Sequence, residues 1–207
     1  MDKWVCLLML LVVSGVLANP AQSDSKKPGV QAQKPYGPWA RTPETIEFTA
    51  DRRAVRLNGQ LPDSDKATVT VEAQAIIYNP PLVIADFTQW KKALDPDVAF
   101  IVRYHQALAD SNPEQISAMW HSAEREAKKK LLQRKEVFAA LKKHYRSDKS
   151  LKIFGILFQA NTNSVLLELG GAIVGFHIIK ENGEAKLTDN PDDDLEVAIV
   201  EASLRKR

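Results

Sequence analysis

The chain has 207 residues, with 28 Lys or Arg against 26 Asp or Glu, for a formal net charge of +2. So near-balanced a surface gives no general pull toward nucleic acid or another polyanion. The single cysteine is Cys6. Beyond it the chain has no thiol for a disulfide, a nucleophile or a thiolate metal site, so the fold rests on its apolar core alone.

Residues 1–18, MDKWVCLLMLLVVSGVLA, have the three parts of a secretory signal peptide. Lys3 gives a positive start, Trp4 to Leu17 an apolar run, and Val16-Leu17-Ala18 a small-residue cleavage site. A membrane span needs about 20 apolar residues, and no later segment approaches that, so no transmembrane span is expected in the mature chain. An exported protein with no cysteine beyond Cys6 and no Asn-x-Ser/Thr acceptor fits the bacterial periplasm first and the extracellular space second. Residues 19–43 hold five of the eleven prolines and read as an extended tether, with Tyr36 and Trp39 as its one adhesive spot.

Residues 44–94 read as a small β-rich appendage. Thr45 to Thr49, Ala54 to Leu57 and Thr68 to Ala73 alternate polar with apolar, and Asn58-Gly59 is a turn pair. Asn79-Pro80-Pro81 is expected to end the run through Tyr78.

The remainder, 95–207, reads as α+β. Asp95-Pro96-Asp97 combines a capping carboxylate, a proline at the first helical position and an acid in the first turn, and predicts a helix to about Ala109. Asn112-Pro113-Glu114 repeats the signal, and an amphipathic pattern runs on to Tyr145, with a break near Ser122. In that helix Ile116, Trp120, Ala123, Ala127, Leu131, Phe138, Leu141 and Tyr145 fall within about 90° of arc, at about 100° per residue. That stripe is expected to lie on a sheet, with the lysines toward water and Glu124 paired to Lys128. Arg134 breaks the stripe, as the one charge on its apolar side. Strands are predicted over Leu151–Phe158, Val165–Leu169 and Ala172–Lys180, and Asn182-Gly183 is the strongest hairpin signal in the chain. Asp192 to Asp194 before Leu195–Val200, and basic residues at the end, suit a short terminal helix, with a last strand as the rival reading.

Residues 95–190 resemble the cone-shaped α+β domains of the nuclear transport factor 2-like superfamily. The resemblance rests on Ala99 to Leu108 followed by Asp110-Ser111-Asn112-Pro113-Glu114, on Ile116 to His121, and on the hairpin Lys180 to Thr188. Many members place short strands between the second and third helices, where this chain reads as helical throughout. The resemblance implies helices packed on a curved antiparallel sheet, and an accessory or scaffolding role.

On that reading Tyr104, His105, Trp120, Arg134 and His177 are the residues expected to line a concavity. The expected function is an exported, non-catalytic binding or scaffolding module of the cell envelope. It would engage another envelope protein or a small ligand through a concave sheet, and could form a homodimer. A runner-up is an isomerase- or hydratase-type enzyme with His105 or His177 as base. A third reading is a polyanion-binding face made by Lys128, Lys129, Lys130, Lys142 and Lys143. The residues from His121 to Lys149 hold ten basic against four acidic side chains but no interleaved aromatics to stack bases, which argues against nucleic acid. No cofactor or phosphate-loop motif is present, no histidine pair has metal-site spacing, and Asp192 to Asp194 lack the spaced ligands of a calcium loop. No metal is therefore expected.

Overall fold

The computed structural model describes residues 43–57, 60–85, 95–140, 150–169, 171–191, 195 and 198–199. The expected signal peptide and tether, Lys142, Lys143, and Asp192 to Asp194 lie outside these residues. The described chain is α+β: a curved, open antiparallel sheet of six strands in the order β1-β2-β3-β4-β5-β6, with helices between β2 and β3. The strands are β1 (Glu44–Asp51), β2 (Thr68–Ile84), β3 (Leu151–Phe158), β4 (Thr162–Leu169), β5 (Ala172–Glu181) and β6 (Glu184–Thr188). The helices are α1 (Pro96–Asp110), α2 (Pro113–Ala118) and α3 (Ser122–Leu132), and residues 135–140 are again helical.

The two N-terminal strands, expected as an appendage, are continuous with the sheet. β2 has 17 residues and serves two ladders. Its first half pairs with β1, from Thr68↔Asp51 to Ala75↔Glu44, and its second half pairs with β3, from Gln74↔Phe158 to Ile84↔Leu151. Asn79-Pro80-Pro81 does not end it. The register shifts between Ile77 and Leu82, so the prolines fall in a bulge, where no ladder hydrogen bond is asked of them. Ala54 to Leu57 is likewise no strand. Asp51 Oδ1 accepts from Arg53 N at 2.8 Å and starts a single 3-10 turn, Arg52–Ala54, which drops Val55 into the core.

Each face of the sheet carries a core. On one, α1 lays Val98, Ile101, Val102 and Leu108 against Ile153, Ile156, Val165, Leu167 and Ile178. On the other, Phe48, Val55 and Val71 share a cluster with Phe154, Leu157 and Leu166, closed by Leu195 and Ile199 from near the C-terminus. Ile199 N donates to Leu195 O at 2.9 Å. Gly155, opposite Leu166 in the β3 bulge, lets β2 approach: a Cβ there would stand 2.2 Å from Ile76 O.

The capping signals act as the sequence predicts. Asp95 accepts from Asp97 N at 2.9 Å and Asn112 from Gln115 N at 3.0 Å. The Asn182-Gly183 turn takes φ of 51° and 82°, the left-handed pair a two-residue hairpin needs.

The break expected near Ser122 is present, and the single apolar stripe expected to run through it is the main correction. After α2 the chain leaves helical geometry: Leu187 N donates to Met119 O and His121 N to Leu187 O, both at 2.8 Å, so Trp120 bridges β6 as a parallel partner. This resets the helical phase. Ile116 is buried and Trp120 and Phe138 pack on the core, but Ala123 and Ala127 are exposed and Leu132 is the buried residue of α3. A second break at Gln133–Arg134 leaves Arg134 exposed, because its helical phase is not that of the residues before it. Among the described residues no helix is long and apolar enough to cross a membrane.

Candidate functional site

Three of the five residues expected to line a concavity meet in one aromatic cluster. Tyr104 and His105 are adjacent on α1, and the β6 bridge holds Trp120 against them. Tyr104 stands edge-on to Trp120 at 6.3 Å between ring centres and to His105 at 5.8 Å, and Phe176 of β5 lies 6.0 Å from Tyr104 and 5.4 Å from His105. Such tilted and edge-to-face arrangements suit the ring quadrupoles. Phe176 joins because its side chain alternates with that of His177, a pairing legible in the Phe176-His177-Ile178 pattern only once the helix face is known.

Tyr104 and His105 form the buried half of the cluster, with Trp120 and Phe176 half-buried beside them. Tyr104 is 5 % exposed and His105 4 %. Burial raises the Tyr104 phenol far above its usual value, with the neighbouring Trp120 side chain opposing it. His105 Nδ1 lies 2.9 Å from Ile101 O, and since a carbonyl only accepts, that nitrogen carries the proton. Burial lowers the His105 pKa to about 4, with the Ile101 bond opposing it, so the ring is neutral at pH 7. Over the outer face of Trp120 sits Lys128 Nζ, 3.8 Å from the ring centre, and the same ammonium pairs with Asp189.

His177 faces the other way. Its Nδ1 lies 2.9 Å from Ser164 Oγ on the neighbouring strand. Ser164 is wholly buried, so the pair has a nucleophile and a base in contact but no open approach to the hydroxyl. Arg134, on the exposed turn after α3, is the other expected residue that the cluster does not include.

Two of the six described basic residues of the stretch are engaged with acids. Lys128 pairs with Asp189, Lys129 lies 3.0 Å from Glu114, and Lys130 is exposed. Glu124, expected to pair with Lys128, instead accepts from Thr188 Oγ1 at 2.8 Å, from Asp189 N and from Asn190 Nδ2 at 2.8 Å. Glu124 and Lys128, one turn apart, thus clasp the chain as it leaves β6. At the start of α3 the Glu181 carboxylate accepts from Ser122 N at 3.3 Å and lies 3.5 Å from His121 Nε2; the Ser122 bonds hold it below the usual carboxylate range. Among the described residues no three His, Cys, Asp or Glu are grouped so as to hold a metal ion.

The margins of the sheet differ from one another. Leu187 of β6 is bonded on its outer side by Met119 and His121, the β2 margin beyond β1 is broken by Pro80 and Pro81 in its bulge, and the β5 margin beyond β6 spans only Ala172 to Phe176. β1 ends the sheet: no described strand pairs with its outer side, its register with β2 runs unbroken over all eight residues, and Glu44, Thr45, Glu47, Thr49 and Asp51 are exposed.

No known protein family matches the chain, and no curated protein and no solved structure matches it either.

Proposed function

We propose that this protein is an exported, non-catalytic binding or scaffolding module that engages a protein partner at the β1 margin of its sheet. The observation that carries this reading is the contrast among the margins. Of the sheet boundaries in the described chain, β1 alone offers an unbroken strand edge of eight residues, long enough for an added strand to gain main-chain hydrogen bonds and side-chain contacts. Export is supported by the charged start, apolar run and small-residue site of residues 1–18.

A partner is favoured over a small ligand because the side chains expected to line a concavity contact one another ring to ring. Tyr104, His105, Trp120 and Phe176 fill the space between α1 and β5. The runner-up enzyme reading would need a titratable group beside an open space. His105 is held neutral in the core, and His177 bonds a buried serine on the opposite face. The polyanion reading is weakened by the acids already set against Lys128 and Lys129.

The reading is tested with a photo-crosslinking amino acid placed in the full chain, in its native host, at Thr49 on β1 or at Lys130 on α3. Discrete adducts with another polypeptide from position 49 but not from position 130 support it. Equal labelling at both positions, none at 49, or an adduct confined to one chain overturns it.

A further inference from the structure

We infer that the occupant of the β1 edge is a second copy of this chain, paired antiparallel about a two-fold axis through Phe48; this rests on the β1 margin being the binding surface. An edge strand is commonly guarded by proline, a bulge or lysine. β1, ETIEFTAD, has no proline, bulge or lysine, and only the acids Glu44, Glu47 and Asp51 guard it; the other margins are bonded at Leu187, broken in the β2 bulge, or five residues long at Ala172 to Phe176.

Among the registers that pair at least seven residues of β1, its sequence then selects one. With Glu47 opposite itself, like charges meet at the axis. With the axis between Glu47 and Phe48, Glu44 meets Asp51 twice. Centred on Phe48, Glu47 falls opposite Thr49, Thr45 opposite Asp51, and Ile46 opposite Ala50. No like charges are then directly opposite; the acids Glu47 and Asp51 meet only diagonally across the axis.

This register also respects the two faces of the sheet. Ile46, Phe48 and Ala50 belong to the core that Val71, Leu166 and Ile199 share, so two copies would join their apolar faces across the axis. Thr45, Glu47, Thr49 and Asp51 form the exposed face of each strand. A one-residue slip would mix the two sets. A two-fold axis through a residue is also compatible with either hydrogen-bonding phase of β1. The outward groups of residue 48 bond their own copies, or those of residues 47 and 49 bond one another. The resulting contact is isologous and closes on itself, so it makes a dimer with one continuous sheet of both copies and not a fibre.

Position 49 gives a test whose sign reverses. Thr49→Lys sets a lysine opposite Glu47 twice across the axis, and Thr49→Glu sets a glutamate there twice. Both changes lie on an exposed side chain, and unchanged thermal unfolding in dilute solution checks that the fold is kept. By sedimentation equilibrium of the full mature chain at low salt, the dimer dissociation constant should fall about fivefold for Thr49→Lys and rise about fivefold for Thr49→Glu. A monomer throughout the micromolar range, or a dimer that both variants leave unchanged, overturns the inference. The crosslink at position 49 separates this failure from that of the parent reading. An adduct of twice the chain's mass supports both, and an adduct with a different protein overturns the second copy but keeps β1 as the binding edge. The absence of an adduct overturns both.

Discussion

Acid should destabilise this fold chiefly through His105, and the structure sets both the size and the direction of the effect. The ring is buried between α1 and β5, against Tyr104 and Phe176, and its pKa is lowered from 6.5 to about 4. A histidine whose pKa is depressed on folding leaves stability intact above its unfolded value. As pH falls below 6.5, the unfolded chain takes up a proton that the folded chain refuses, and the loss accumulates until the folded ring itself titrates near pH 4. At about 1.4 kcal/mol per pH unit, a shift of about 2.5 units corresponds to a loss of about 3 kcal/mol. Urea unfolding at intervals from pH 7.5 to 4, on wild type and His105→Gln, isolates the contribution. Glutamine cannot take the charge, and every other titratable group is common to both proteins. The wild type should lose about 3 kcal/mol more than the variant over that range. Parallel curves would refute the account of His105 as a neutral core residue.

Three further outcomes follow from single contacts. Gly155→Ala should lower stability by about 2 kcal/mol or more, because the new methyl would meet the Ile76 carbonyl at 2.2 Å and a strand must move; an unchanged melting temperature would contradict the close approach of β2. Glu124→Gln exchanges a charged acceptor of three hydrogen bonds for a neutral one and should cost about 1–2 kcal/mol, with faster hydrogen exchange at the Asp189 amide as the local readout. The reset phase of α3 is checked by a pair: Leu132→Ala should cost about 2–4 kcal/mol, while Ala127→Lys should change stability by less than about 0.5 kcal/mol. The reverse order would restore the continuous stripe that the sequence suggests.

The sequence by itself determined the features written in a few adjacent residues. Asp95-Pro96 and Asn112-Pro113 start helices because the cap needs only a side-chain oxygen two or three residues from the amide it accepts. Asn182-Gly183 turns the last hairpin because those two residues tolerate positive φ. The α+β class followed from the order of such signals, and so did the opposite facing of His177 and Phe176, which needs only the period of a strand. Tertiary structure decided what depends on distant partners. Asn79-Pro80-Pro81 reads as a stop, yet β2 continues, because pairing with β3 resumes at Leu82 once the prolines are set in a bulge. The stripe from Ile116 to Tyr145 carries one helical phase through the break expected near Ser122; Leu187 of β6, donating to Met119 O and accepting from His121 N, resets that phase at Trp120. That break carries Trp120 to Tyr104, sets Lys128 over its ring and turns Glu124 toward Asn190. Periodicity reports which residues share a face of one element. It carries nothing about where a long-range bond will rotate that face, and here such a bond, between α2 and β6, decides which residues meet.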